Sequence, residues 1–346
     1  MVMKLHSVIR ILPAVWALLA LCTGCGQESP LDMPASAAET TTLTLHVGTQ
    51  SPSASVTTKA DDPNVLPYEG LRTVRVIITD DSNQRIEHNE IYEVDSSEAP
   101  AEAILNTTLT LQDVPVGPAN IYVIANEESL GMVYNDQALL DNDKKLEVVD
   151  DDWSHFPKTY DDIAANGLPM SAKLENQTIS AGMPGISIQL DRAVVKLHLT
   201  VENATSGDLT LKWVKFGKFV SDRFYMFREQ NLDIPTDTQY KELQYGDDNS
   251  PMDVTLAPNG VRTSWNPVYI YPNFAYKDPT GSNPYTLTLN TGVKEYGPSS
   301  LGRNLNSLVR NTQFNILARI TATATVTISY EYVPWEKVEI DVPSFD

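Results

Sequence analysis

Residues 186–201 read Ile186-Ser-Ile-Gln-Leu-Asp-Arg-Ala-Val-Val-Lys-Leu-His-Leu-Thr-Val201, and they alternate apolar and polar side chains with a period of two. The phase changes once. Ile186, Ile188 and Leu190 hold even positions, whereas Ala193, Val195, Leu197, Leu199 and Val201 hold odd ones. A period of two marks a strand with one buried face, and a slip of one residue moves every side chain to the other face. A single flat strand on one core cannot satisfy both halves. Either a bulge sits near Asp191-Arg192 or the chain passes there from one core to another. The place of this stretch, near the middle of the chain, favours the second and predicts two cores meeting at Leu190/Asp191.

The same period runs outward in both directions. Toward the N-terminus it marks Thr42–Val47, with Leu43, Leu45 and Val47 alternating against Thr42, Thr44 and His46; then Leu71–Thr79, Leu105–Leu111 and the continuous apolar run Ile121–Ala125. Between the first two lies a polar loop, Gly48–Gly70, carrying Pro52, Pro63 and Pro67. A short helix is expected around Ala138-Leu-Leu140. Toward the C-terminus the strand candidates are Leu209–Phe219, Val254–Leu256, Val268–Tyr271 and Tyr285–Leu289. From Phe314 to Tyr332 the apolar or small residues keep to even positions for 19 residues, roughly 60 Å of extended chain and far beyond an ordinary strand. Such a run must bend, divide between two sheets, or project. Val338, Ile340 and Val342 continue its phase beyond Pro334-Trp335. The pattern predicts an all-β protein with little helix, built as two β-sandwich domains over residues 41–190 and 191–346.

The N-terminus reads as an export signal. Residues 1–24 carry Lys4 and Arg10, no acid, and an apolar run from Ile11 to Leu21. Eleven residues are too few to span a bilayer, which needs about 20, but they fit the h-region of a secretory signal. The run ends in Leu21-Cys22-Thr23-Gly24-Cys25, which resembles a bacterial lipobox and implies that Cys25 is acylated and anchors the exported chain in the outer membrane; Cys22 stands where the lipobox usually has leucine. An ordinary signal peptide with an incidental Cys25 is the alternative. Residues 25–40, rich in Ser, Pro, Ala and Glu, have no apolar period and read as a flexible tether.

Composition removes several function classes. With 25 Lys+Arg against 45 Asp+Glu the 346-residue chain carries a formal charge of −20, so it would repel a phosphate backbone, and no nucleic-acid partner is expected. Outside the signal the four histidines His46, His88, His155 and His198 form no HExxH motif, and no metal site is assigned. Asp141-Asn-Asp143 opens like a calcium loop, but Leu146 and Asp152 stand where its glycine and bidentate glutamate belong; with Asp150-Asp-Asp152 nearby, a solvated acidic loop is the default. Gly297-Pro-Ser299 lacks the second glycine of a nucleophile elbow, and no phosphate-binding glycine pattern occurs. No catalytic residue and no cofactor are assigned. Trp265, Tyr269 and Tyr271 offer a sugar-stacking platform if exposed, and core packing if not. A glycosidase with two carboxylates drawn from anywhere in the chain stays open as a distant alternative.

Five segments in order resemble the fimbrillins, the lipoprotein-derived pilus subunits of Bacteroidetes. They are Val114-Pro-Val-Gly117 with Ile121-Tyr-Val-Ile-Ala-Asn126, Leu168-Pro-Met-Ser171, Leu190-Asp-Arg-Ala-Val-Val-Lys-Leu197, and Val309-Arg-Asn-Thr-Gln-Phe-Asn315. The resemblance implies two transthyretin-like β-sandwich domains and a non-enzymatic, adhesive surface protein. It also implies assembly: a protease cuts the loop after the first strand, that strand leaves, and a strand from another fimbrial subunit fills the groove by β-augmentation. Carried onto this chain, the removable strand is Thr42–Val47 and the cut falls at Lys59, in Thr58-Lys59-Ala60, where the family usually has arginine. Arg72 is the fallback, and Arg75, within a strand, is a poor site. A carbohydrate-capturing surface lipoprotein is the alternative function. The adhesion ligand, whether on a host or a bacterial surface, is not specified by the sequence.

Overall fold

The computed structural model describes residues 39–49, 65–98, 100–131, 145–227, 234–276, 282–301, 305–321, 323 and 325–335. Cys25, Lys59, the expected helix at 138–140, Asp141–Asp143 and the apolar residues 338–342 lie outside them. Among the described residues there is no α-helix, only 3-10 turns at Pro67–Glu69 and Glu127–Leu130, and 22 strands. The first ten are β1 (Thr40–Gly48), β2 (Thr73–Asp80), β3 (Ile86–Glu93), β4 (Asn106–Pro115), β5 (Gly117–Ala125), β6 (Glu147–Val149), β7 (Lys158–Thr159), β8 (Met170–Ile179), β9 (Ile186–Gln189) and β10 (Asp191–Arg192). The rest are β11 (Val195–Asn203), β12 (Leu209–Leu211), β13 (Trp213–Ser221), β14 (Arg223–Tyr225), β15 (Tyr240–Tyr245), β16 (Val254–Leu256), β17 (Val261–Ser264), β18 (Val268–Ile270), β19 (Thr286–Asn290), β20 (Glu295–Ser300), β21 (Thr312–Ile320) and β22 (Val326–Pro334). The chain is all-β, as its alternation predicts.

Four sheets carry the architecture. A three-stranded sheet in the order β4-β1-β9 and a five-stranded sheet β10-β8-β5-β2-β3 both contribute to a core containing Leu43, Leu45, Leu109, Val76, Ile121 and Val123. A larger sheet β22-β21-β11-β18-β7 and a four-stranded sheet β15-β13-β19-β20 both contribute to a second core containing Leu197, Leu199, Phe216, Leu287, Phe314 and Ile316. A third cluster draws on both halves of the chain: Ile77, Tyr122 and Ile124 meet Ala193, Val194, Phe224, Tyr269 and Trp335. Strands β2 and β5 therefore have a core on each face, which is why Ile121–Ala125 reads as a continuous apolar run rather than an alternating one. The described residues belong to one compact unit.

The phase change at the centre of the sequence follows from this layering. Strand β9 pairs in parallel with β1, Leu45 opposite Ile186 and Val47 opposite Ile188, and Leu190 N–H donates to the Gly48 carbonyl at 2.7 Å. Ile188 and Leu190 enter the first core. Ala193 and Val194 enter the shared cluster. From Val195 onward the odd residues Val195, Leu197, Leu199 and Val201 line the second core.

The 19-residue even-parity run is two strands of one sheet. Strands β21 and β22 form an antiparallel hairpin whose partners include Ile316 with Tyr330, Ala318 with Ile328 and Ile320 with Val326. Each pair joins two even numbers, so both arms present their even side chains on one face and the parity survives the turn. Thr321 and Thr325 close that turn, with a 2.8 Å backbone bond and hydroxyls 2.7 Å apart. The run folds back on itself, where the sequence suggested a bend, a division between sheets or a projection.

Candidate functional site

Strand β1 sits between two others. On one side it is antiparallel to β4, with Leu43 opposite Leu111 and Leu45 opposite Leu109; on the other it is parallel to β9. Leu43, Leu45 and Val47 are at most 1% exposed, so together they contribute very roughly 5–9 kcal/mol of apolar burial, an upper bound because the unfolded chain already hides some of that surface. The opposite face is polar: Thr42 bonds Gln112 at 2.9 Å and His46 Nδ1 lies 3.1 Å from the Thr108 hydroxyl. Taking β1 out would leave a slot one strand wide, with unpaired main-chain groups on both walls and three vacated apolar seats. The expected removable strand Thr42–Val47 is the middle of this element.

The segment from Val65 onward is firmly anchored. Gly70 packs against the backbone of Ile104, where a Cβ would lie 2.6 Å from the Ile104 nitrogen, and Leu71 N–H bonds the Ile104 carbonyl at 2.7 Å. The Glu69 side chain is fully buried: its Oε1 accepts the Lys196 ammonium at 2.8 Å and the Tyr269 hydroxyl at 2.5 Å, and its Oε2 accepts Leu66 N–H at 2.9 Å. Burial first, and the Glu69 carboxylate second, push the Tyr269 hydroxyl far above the ordinary tyrosine range, so it stays protonated and donates.

Arg72, the fallback cleavage residue, is 6% exposed. Its guanidinium contacts Asp95 at 3.3 Å, donates to the Ala164 carbonyl at 2.7 Å and also reaches the Ser97 carbonyl. A side chain held this way cannot enter a protease cleft without local unfolding, which removes Arg72 as a site in the folded chain. Arg75 is likewise committed, with a two-point contact to Glu127 at 2.8 and 2.7 Å.

At the other end of the chain β22 is the edge strand of its sheet. Val326, Ile328 and Tyr330 are only partly buried against the second core, with Tyr330 tilted on Phe314 at 5.3 Å between ring centres. Trp335 follows, and it is completely buried. Its indole stacks on Tyr269 at 6.0 Å, beneath the Arg192 guanidinium at 4.9 Å and the Lys196 ammonium at 5.3 Å. Sequence reading missed this cluster. Lys196 holds an even position among odd apolar ones and so reads as facing water, and nothing local ties Glu69, Lys196 and Trp335 together.

The remaining candidates resolve into structure. Tyr269 and Tyr271 are fully buried and Trp265 partly so, so they form no sugar-stacking platform; they pack in the core. Asp150, Asp152 and His155 bring ligand atoms within 4.8 Å of one another. Asp150 is, however, already occupied by the N–H groups of Ser154 and Phe156, both at 2.9 Å, so the arrangement is that of a loop held by one buried carboxylate. His46 is exposed, as expected, whereas His198 is half-buried, and burial holds its pKa below the usual histidine range.

No protein-family model and no curated protein matches the chain. Solved structures do. The tip fimbrial protein Mfa3 of Porphyromonas gingivalis, solved with a C-terminal truncation, superposes with a TM-score of 0.51 at 13% identity, covering 85% of this chain and 100% of that one. A fimbrial assembly protein of Parabacteroides distasonis gives 0.50 at 14% identity, over 86% of this chain and 97% of that one. A candidate cell adhesion protein of Bacteroides uniformis gives 0.50 at 12%, over 85% and 99%. At such identities the similarity is one of fold, and this chain has the fold of these Bacteroidetes fimbrial and adhesion proteins.

Proposed function

We propose that the chain is a structural subunit of a cell-surface fimbrium serving adhesion, lipidated on Cys25, and assembled by cutting at Lys59 and replacing β1 with a strand from another subunit. The observation that carries this reading is the place of β1, an interior strand that is also the first described strand and is followed in sequence by Lys59. It can leave without unthreading any other element, and the slot it leaves offers main-chain hydrogen bonds together with alternate apolar seats, the two components of β-augmentation. The strand to fill it comes from the C-terminal region, residues 325–342, whose even-position apolar series repeats the alternation of Leu43, Leu45 and Val47. Such a subunit has no need of a catalytic centre or cofactor. The two sandwich cores are read as two domains divided at Leu190/Asp191 and welded by the shared cluster. The solved fimbrial proteins of the same fold support this reading.

The test is polymerisation of the exported chain after limited trypsin treatment. Cutting after Lys59 should release β1 and give ladders of oligomers in denaturant-free gels, and Ile340→Asp should abolish them while leaving a folded monomer. Ile328→Asp is a poorer test, because Ile328 also packs against its own core. Cut chains that keep β1 bound, or that lose it and stay monomeric, would refute the reading.

A further inference from the structure

We infer that the outer face of the sheet formed by β22, β21, β11 and β17 binds a neutral saccharide over Leu317. Such a site rests on the adhesive half of the reading above and not on strand donation, because the uncut monomer already presents this face. Register places its residues. The even residues of β21 and the odd residues of β11 line the second core, so the odd residues of β21 and the even residues of β11 point away from it. Paired residues share a face. Thr200 on β11 therefore stands beside Leu317 on β21, and Leu317 beside Ser329 on β22. One step along, Glu202 stands between Arg262 of β17 and Arg319 of β21; one step the other way, Asn315 stands beside Glu331. Within this grid Thr200, Arg262, Asn315, Leu317, Ser329 and Glu331 line a cavity of about 280 Å³, near the lower limit of roughly 300 Å³ for small-molecule sites.

Glu202 fixes one wall of the cavity. Its carboxylate is 8% exposed; one oxygen takes Arg262 Nε at 3.0 Å and the other takes Arg319 Nε at 2.9 Å. An arginine held at Nε has already given up rotamer freedom, and it still presents Nη1 and Nη2 as a fork. Among the described residues that fork has no protein partner, and neither have the side chains of Asn315, Ser329 and Glu331. The unspent groups are of mixed kind: the arginine donates, the carboxylate accepts, and the amide and the hydroxyl do both. A ligand rich in hydroxyls, each of which donates and accepts, satisfies such a set, whereas an apolar ligand would leave it unpaired. An anion would meet Glu331 and a chain of net charge −20; a cation would meet Arg262. Half-buried Leu317 gives the C–H face of a pyranose ring an apolar floor. From β17 to β22 the face spans three strand spacings, roughly 14 Å, room for a short oligosaccharide.

Saturation-transfer NMR of the uncut chain tests this, with lactose, N-acetyllactosamine, maltotriose and mannotriose as neutral probes and sialyllactose as an acidic one. At least one neutral probe should bind with a Kd of about 1 mM or tighter. Arg262→Gln and Asn315→Ala should each weaken that binding about tenfold while leaving the melting temperature little changed, since exposed ion pairs contribute little. Arg262→Lys should fail like Arg262→Gln, because one ammonium does not replace the fork, although it keeps the charge facing Glu202. Arg319→Gln, outside the cavity lining, should leave binding unchanged. Failure of every neutral probe overturns the assignment, and so does binding confined to sialyllactose. Affinity that survives the combined Arg262→Gln, Asn315→Ala variant puts the sugar elsewhere and overturns it too. A chain that polymerises after cutting but binds none of the probes keeps strand donation and loses this site; one that binds as a monomer and never polymerises does the reverse.

Discussion

Arg310 directs its guanidinium at three separate parts of the chain, two through backbone carbonyls and one through a hydroxyl. Nε donates to the Arg192 carbonyl at 3.2 Å, Nη1 to Met226 at 2.6 Å, and Nη2 to Asp191 at 2.8 Å and to the Ser171 hydroxyl at 2.9 Å. It ties the crossover between cores to strand β8 and to the segment after β14. Arg310→Ala would leave several buried acceptors without this donor, and the expected loss is on the order of 3 kcal/mol or more by denaturant unfolding; Arg310→Lys should recover only part, since one ammonium cannot span the same fork. Two histidines set a pH response. Burial is the main cause that lowers the pKa of both His88 and His198, so the unfolded chain binds protons that the folded chain refuses. Stability contributed by the neutral rings is intact above the unfolded value of about 6.5 and falls as pH drops through it toward the folded values. The melting temperature should therefore fall between pH 7.5 and 5, and a His88→Gln, His198→Gln double variant should lose less over the same interval. Neither feature was legible in the sequence: Arg310 sits in a short polar string, and His198 alternates with apolar residues as an outward-facing residue would.

At the scale of elements, legibility followed one-sided burial. The apolar residues of β1, β4, β11 and β21 alternate, and β1 and β4 were read to within a few residues at each end. Strand β3, Ile-Glu-His-Asn-Glu-Ile-Tyr-Glu, escaped because it is a charged edge strand, the composition that protects an edge from unwanted pairing. Strand β8 escaped for a related reason, since most of its length is polar and only partly buried. The Phe314–Tyr332 run was recognised but not its turn, because Thr321–Thr325 lacks the glycine or asparagine that usually announces one. The anchoring of Gly70, Arg72 and Arg75 gives a sharp expectation for limited trypsin digestion of the folded chain. The first cut beyond the tether should fall after Lys59, with Arg72 and Arg75 resisting until the protein unfolds; mass spectrometry should find a fragment starting at Ala60. Early fragments beginning at Thr73 or Val76 would contradict the anchoring described above.

For the whole molecule, the sequence showed the fold class and the crossover at 190–194, and the first strand of the candidate site. The seat of Trp335 was hidden because it joins residues 69, 192, 196, 269 and 335, which only the tertiary fold brings together. Lipidation adds a test at this scale: a metabolic fatty-acid label should vanish in Cys25→Ala and persist in Cys22→Ala, and equal labelling of the two variants would remove the anchor from the proposal. Strand β1 is antiparallel to one neighbour and parallel to the other, so a replacement strand can satisfy both walls in only one direction. On the strand-donation reading each junction then has a head and a tail, and every subunit in a fibre must point the same way. A head-to-tail junction of that kind builds an open fibre unless its rotation closes a ring. One end of an open fibre always presents an unfilled slot and the other an unused donor, so growth is vectorial, and stopping it requires a subunit that lacks one of the two.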